Sequence, residues 1–395
     1  MITVEEAKQL LFSKIEKTNF QIIDISESTG CVLSETVFSP IDLPSFNQSA
    51  MDGYALASSA VHNKQFEVIA EIKAGDSFSI HLESGQAVRI FTGAEVPSSA
   101  DAVIIQEKVE RVNGTIHLSD AVRQGDCIRY QGSQIKSGEV ALMKGTLLNP
   151  ASIGFLASIG IHNVSVYKKP DVSLITTGNE LVKPGNALTG GQVYESNSFS
   201  LQAALNQMHI KPKHIFSASD EIKEITLKIE QCLNDSDVII LTGGISVGKY
   251  DLVHDALMSL DVETIFYKVA QKPGKPFFCG KFRNKLIFAL PGNPAAVLVC
   301  FYEYIYPAIR MLQGFENAAL PTLKLKLLKD ISIKEDRAQF IRATKGNDGV
   351  MPLEKQDSNM LRSFAEADSL IYVPYETHVI NIGDEVEVHL LPFNN

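Results

Sequence analysis

Asp237-Val238-Ile239-Ile240-Leu241-Thr242-Gly243-Gly244 is an unbroken apolar run stopped by paired glycines, short enough to be a strand buried on both faces. Upstream, Asp171-Val172-Ser173-Leu174-Ile175-Thr176-Thr177 is a second such run ending at Gly178. Downstream, Lys285-Leu286-Ile287-Phe288-Ala289-Leu290 is a third, ending at Pro291-Gly292. Helical patterns accompany them over Ser198–Met208 and Ala295–Leu312. Apolar strands alternating with helices predict an α/β domain whose parallel-rich sheet is covered on both faces. Ligands of such sheets bind outside the carboxyl ends of the strands. Here those ends are Thr176-Thr177-Gly178, Leu241-Thr242-Gly243-Gly244 and Leu290-Pro291-Gly292-Asn293.

The flanks follow another pattern. Phe66–Thr92 and Asp101–Leu118 are short alternating runs with turns at Gly75, Gly85 and Gly114, which predict an all-β module. Leu323–Leu328, Gln339–Thr344, Ser369–Val373 and Glu385–Leu391 predict a second, C-terminal β module. A chain of 395 residues accommodates two to four such domains.

Composition excludes several function classes. Hydrophobic residues at 45% and charged residues at 21% are globular values rather than those of a disordered chain. A net charge of −10 opposes non-specific nucleic-acid binding, which needs a positive field. No apolar run approaches the ~18–20 residues that span a bilayer. Met1–Ile15 lacks a basic segment followed by an apolar one, and Thr3-Val4-Glu5-Glu6 predicts a capping box opening a helix. Cys31, Cys127, Cys232, Cys279 and Cys300 are scattered without a C-x-x-C pair, so neither a disulfide framework nor a zinc site is expected. The expected compartment is the cytoplasm.

Charge is unevenly distributed. No Asp or Glu falls between Glu263 and Glu303, where about four or five are expected, whereas Lys268, Lys272, Lys275, Lys281, Arg283 and Lys285 all do. The segment is either a solvated basic face or a field for a small anionic ligand. Gly243-Gly244-Ile245-Ser246-Val247-Gly248-Lys249-Tyr250 nearly matches the phosphate-cradling P-loop, but Tyr250 stands where a small hydroxyl would meet magnesium. A nucleotide-triphosphatase reading is therefore rejected, while glycine amides aimed at an oxyanion remain plausible chemistry. Asp251 and Glu180 stand just past two of the glycine loops, where a hard cation would fit between them and an anionic substrate. Taken singly, each is more often an N-cap or a solvated turn residue. Lys272-Pro273-Gly274-Lys275-Pro276 is a rigid turn presenting two ammonium groups. Pro44–Ala55 has neither helical nor strand period and is expected to be a structured loop.

Together, Ser49-Ala50-Met51-Asp52-Gly53-Tyr54, Ile90-Phe91-Thr92-Gly93-Ala94, Thr177-Gly178-Asn179-Glu180-Leu181, Gly243–Gly248, Lys272–Pro276 and Leu290-Pro291-Gly292-Asn293-Pro294 resemble, in order and spacing, the molybdopterin molybdenumtransferases (MoeA), to which the gephyrin E domain also belongs. The resemblance implies an elongated domain over 1–43 and 131–168, an inserted β domain over 44–130, a molybdopterin-binding-like α/β domain over 169–316 and a C-terminal β-barrel over 317–395. It also implies a homodimer with the site shared between subunits. The implied reaction takes adenylylated molybdopterin and molybdate, releases AMP and leaves molybdenum on the dithiolene. Carried over by motif, Asp52, Thr92, Glu180, Asp251, Lys268, Lys272 and Lys275 would be catalytic. Gly178, Gly243, Gly244, Ser246, Gly248, Pro291, Gly292, Asn293 and Pro294, with Ser358 or Ser363, would bind the pterin substrate. Glu180 and Asp251 would hold Mg²⁺. The pathway's adenylyltransferase is the expected partner.

Three positions depart from the family pattern: Gly132-Ser133-Gln134 where a carboxylate is usual, Ala296 for a serine, and Asp357-Ser358-Asn359 for Gly-Ser-His. A low-activity paralogue or a gephyrin-like scaffold is the alternative. The pathway's adenylylating enzyme has the α/β domain alone, and the flanking β modules argue against it.

Overall fold

A computed structural model describes residues 1–57, 64–76, 79–245 and 251–392. The chain forms two compact units, one of Gln21–Val166 and one of Met1–Phe20 with Tyr167–Asn395.

In the larger unit a six-stranded sheet runs in the order His214–Ala218, Val172–Thr177, Val238–Thr242, Lys285–Leu290, Phe278–Phe282, Glu263–Tyr267. The first four strands are parallel, and the last two add in antiparallel sense. Alternate residues serve opposite faces. Leu174, Val238, Ile240, Leu286 and Phe288 join one apolar cluster with Leu201 and Val297, whereas Ile175, Ile239, Leu241 and Ile287 join another with Ile225, Ile229 and Leu257. Because both faces are covered, the strands read as continuous apolar runs.

The helix Pro294–Leu312 corrects one expectation. It is long and apolar enough to cross a membrane, but 89% of it is buried among the other elements. It packs into the first cluster, and its middle turn, Phe301–Ile305, is π-helical. At the amino terminus Thr3 caps Val4–Ser13 as predicted: its hydroxyl accepts from the Glu6 N–H, and the Glu6 carboxylate accepts from the Thr3 N–H.

The C-terminal strands Ala338–Lys345, Ser369–Val373, Glu385–Leu390 and Thr322–Lys326 form another sheet. It includes a strand that the sequence did not announce, Gln271–Lys272, which pairs parallel with Ala338–Gln339. The lysine turn is thereby tied to the last domain.

The smaller unit carries the sheet Ala100–Ile105, Gly53–Ala57, Gln86–Ile90, Gln65–Ile72, Thr115–Leu118, Val109–Val112. Gly53–Ala57, whose first three residues were expected to be loop, is a strand buried along its whole length. A Cβ on Gly53 would lie 1.9 Å from the Ile104 carbonyl oxygen, so only glycine permits this approach.

Candidate functional site

The carboxyl ends of the parallel strands open into a cleft of about 800 Å³. Its lining includes Thr177, Gly178, Glu180, Thr242, Gly243, Gly244 and Pro291–Pro294, the loops predicted from the sequence. Gly243 has φ +88°, and a Cβ there would lie 2.2 Å from the Thr177 carbonyl oxygen. Left-handed backbone and close approach both demand glycine. Ser246 and Gly248 lie outside the described residues.

Sequence reasoning missed Asn197, Glu195 and Asp220, which also line the cleft. Asn197 donates through Nδ2 to the Thr242 hydroxyl at 2.8 Å and to the Gly292 carbonyl at 2.9 Å. A carbonyl only accepts, so this fixes the amide's orientation. Its Oδ1 is buried and finds no donor among the described residues, and the Thr177 hydroxyl is likewise unsatisfied. Such atoms are uncommon in folded proteins, and both residues line the cleft. Asn179 and Asp220 exchange reciprocal bonds, N–H to Oδ2 at 3.1 Å and N–H to Oδ1 at 3.2 Å, bracing the loop before Glu180.

A recess of about 330 Å³ shares Pro276, Pro291 and Asn293 with the cleft, and is lined also by Lys272, Lys275, Arg337 and Ser358. Asn293 donates to the Ser358 hydroxyl at 2.9 Å, joining the Pro-Gly-Asn-Pro turn to the last domain. Lys272 pairs with Glu335 at 3.1 Å, and Arg337 with the other oxygen of Glu335 at 2.6 Å. Burial alone would raise the Glu335 carboxyl, but the Lys272 hydrogen bond and the Arg337 charge outweigh it and hold the group below its ordinary value.

Other predicted residues are placed differently. Ser363 is buried, accepting from the Arg342 Nε at 3.1 Å and donating to the Lys355 and Met360 carbonyls. Of the two serines, Ser358 is the one on the recess. Asp251 caps Leu252–Ser259 through the His254 N–H at 3.0 Å and accepts from the Tyr267 hydroxyl. The Lys268 ammonium lies 4.6 Å from the centre of the Tyr267 ring. Neither Asp251 nor Lys268 lines the cleft or the recess. The basic run disperses: Lys281 pairs with Glu16, and Lys285 donates to the Ser236 carbonyl.

In the smaller unit Asp52 accepts twice from Thr92, from the backbone N–H at 2.8 Å and the hydroxyl at 2.7 Å. These bonds hold the exposed Asp52 carboxyl below its ordinary value. Gln134 is exposed, in the turn whose Gly132 donates to the Pro44 carbonyl. Ala296 is buried, and Asp357 accepts from Arg342 through its main chain.

Family profiles match nearly the whole length: MoeA N-terminal region (domain I and II) over residues 2–160, probable molybdopterin binding domain over 173–311, and MoeA C-terminal region (domain IV) over 324–391. A molybdopterin molybdenumtransferase of Haemophilus influenzae is 32% identical across 100% of this chain and 99% of its own. The chain belongs to the MoeA family. A Nostoc relative of the same name is 32% identical over 99% of this chain and 94% of its own. The crystal structure of a molybdopterin biosynthesis MoeA protein from Pyrococcus horikosii superposes with a TM-score of 0.86 at 31% identity, covering 99% of each chain. MoeA membership accounts for the six motifs that the sequence carries in order.

Proposed function

We propose that this chain is a molybdopterin molybdenumtransferase acting in the cytoplasm: it transfers molybdenum from molybdate to the dithiolene of adenylylated molybdopterin and releases AMP. The observation that carries this reading is the full-length identity with relatives of that name, joined to a strand-end cleft that opens beside a recess lined by Lys272, Lys275 and Arg337. Molybdate and the substrate's pyrophosphate repel one another in water. Cations held by a rigid turn offset that repulsion as the two come together. The Gly244 amide suits the phosphates, whereas the Gly243 N–H is committed to the Leu290 carbonyl at 3.2 Å. The buried Asn197 Oδ1 and Thr177 hydroxyl suit polar edges of the pterin substrate.

Mg²⁺ is the metal we infer for this site together with its substrate. No group of three or more His, Cys, Asp or Glu among the described residues could hold a metal by itself. Magnesium, however, is commonly held by one or two carboxylates together with water and substrate phosphates. Glu180, on the cleft, would hold it; Asp251, outside the cleft lining and engaged by the His254 N–H and the Tyr267 hydroxyl, would have to exchange one of those bonds to join it. The ion would polarise the pyrophosphate for cleavage. Asp52, oriented by its two bonds from Thr92, is proposed as a further catalytic group. A homodimer and hand-over from the pathway's adenylyltransferase complete the reading. Relatives matched over 99% and 94% of their own length carry transferase names, which favours the enzyme over a scaffold.

Release of AMP from adenylylated molybdopterin on adding molybdate tests the reaction. Sedimentation tests the dimer, which a species of only 43.3 kDa would refute.

A further inference from the structure

We propose that Arg337 is a further oxyanion-binding residue of the lysine recess, and that Glu335 is an internal carboxylate which holds Lys272 and Arg337 until a tetrahedral dianion displaces it. This rests on the reading of the recess as an oxyanion site. Glu335 spans the two cations, one on each oxygen, at 3.1 Å from Lys272 and 2.6 Å from Arg337. Two oxygens bridging two cations is also what a tetrahedral oxyanion offers, with a second negative charge besides. Lys272 and Arg337 line the recess beside Lys275 and Ser358, whereas Glu335 does not; it lines a neighbouring hollow of about 400 Å³.

The contact is built to exchange. The side chains of Lys272, Glu335 and Arg337 are 37%, 36% and 25% exposed, and ion pairs so open to solvent are weak. The hollow that holds Glu335 is lined also by Lys329 and Lys334, so a displaced carboxylate has cations within its own surroundings. Because Gln271–Lys272 pairs with Ala338–Gln339, Arg337 is fixed next to the lysine turn by sheet register rather than by chance. In the ligand-free protein the latch neutralises two cations that would otherwise repel each other and Lys275.

The dianion is either molybdate or a phosphate of the substrate, and separate titrations distinguish them. Calorimetry on the full chain is run with sodium molybdate and with AMP, for the wild type, Glu335→Gln, Glu335→Ala, Arg337→Gln, Arg337→Lys and Lys275→Gln. The expected result is at least fivefold tighter binding by both Glu335 variants of whichever ligand occupies the recess. Arg337→Gln should bind that ligand at least fivefold more weakly, and Arg337→Lys should recover part of the loss. If Lys275→Gln weakens binding but the Glu335 variants bind as the wild type does or more weakly, the oxyanion recess stands and the latch is wrong. If the Lys275, Arg337 and Glu335 variants all leave both affinities unchanged, the latch and the oxyanion reading fall together.

Discussion

Asp52 and Thr92, 40 residues apart in the chain, meet through one carboxylate oxygen, which accepts both the Thr92 N–H and its hydroxyl. Thr92→Ala removes one of those donors and leaves the other. The Asp52 carboxyl should then titrate higher, closer to its ordinary 3.8, as read by carbon NMR. Stability should change by no more than about 0.5–1.5 kcal/mol, the net worth of one hydrogen bond. Turnover should fall if Asp52 must be held in place. An unchanged titration would remove Thr92 from that role.

Asp251 is both a helix cap and a proposed magnesium ligand, and substitution separates the two. Asparagine also caps, so Asp251→Asn should stay within about 1 kcal/mol of the wild type in denaturant unfolding, whereas Asp251→Ala should lose about 0.5–2 kcal/mol. Magnesium dependence of turnover should be lost in both. If Asp251→Asn retains it, Asp251 is a cap and nothing more.

Gly243→Ala places a methyl group against the Thr177 carbonyl in left-handed backbone. The strain alone amounts to about 1–2 kcal/mol, and the overlap adds to it. The melting temperature should drop and nucleotide binding should weaken together. A variant with wild-type affinity would show that the loop is not part of the binding surface.

Glu303 is buried between Lys8 at 2.6 Å and His389 at 2.7 Å, with Glu387 on the other His389 nitrogen. Burial would raise Glu303, but Lys8 and His389 outweigh it and lower it; burial would lower His389, but Glu303 outweighs it and raises it. The His389 contribution to stability is therefore complete below its ordinary 6.5 and lost as pH rises through the raised value. The Glu303 contribution is complete above its ordinary 4.5 and lost as pH falls through the lowered value. His389→Gln should flatten the alkaline fall in melting temperature. Glu303→Ala should cost about 3–5 kcal/mol, since it strands buried cations.

Much of the cleft was legible in the sequence because a strand covered on both faces leaves an apolar run, and its end leaves glycine. The same physics misled at Gly53–Ala55, where burial along the whole strand erases the alternation that identifies half-exposed strands. Arg337 and Glu335 left no local signal: what brings them to Lys272 is the parallel pairing of Gln271–Lys272 with Ala338–Gln339, between segments more than sixty residues apart. Acid-free spacing around Lys268–Lys285 suggested one basic field, but strand direction sends Lys281 and Lys285 elsewhere. Asn197 lay in a helix start of ordinary composition, and only its two fixed donors expose the unsatisfied oxygen.

The most direct test of the central claim is a single-turnover reaction of the purified chain with adenylylated molybdopterin, magnesium and molybdate, following AMP and dithiolene-bound molybdenum together. The account predicts that both products appear in equal amounts, that neither forms without molybdate, and that replacing Lys272 and Lys275 with Gln slows both at least tenfold through the loss of charge-assisted bonds worth roughly 1.5–3 kcal/mol each. AMP and bound molybdenum no greater than in a protein-free control would contradict it.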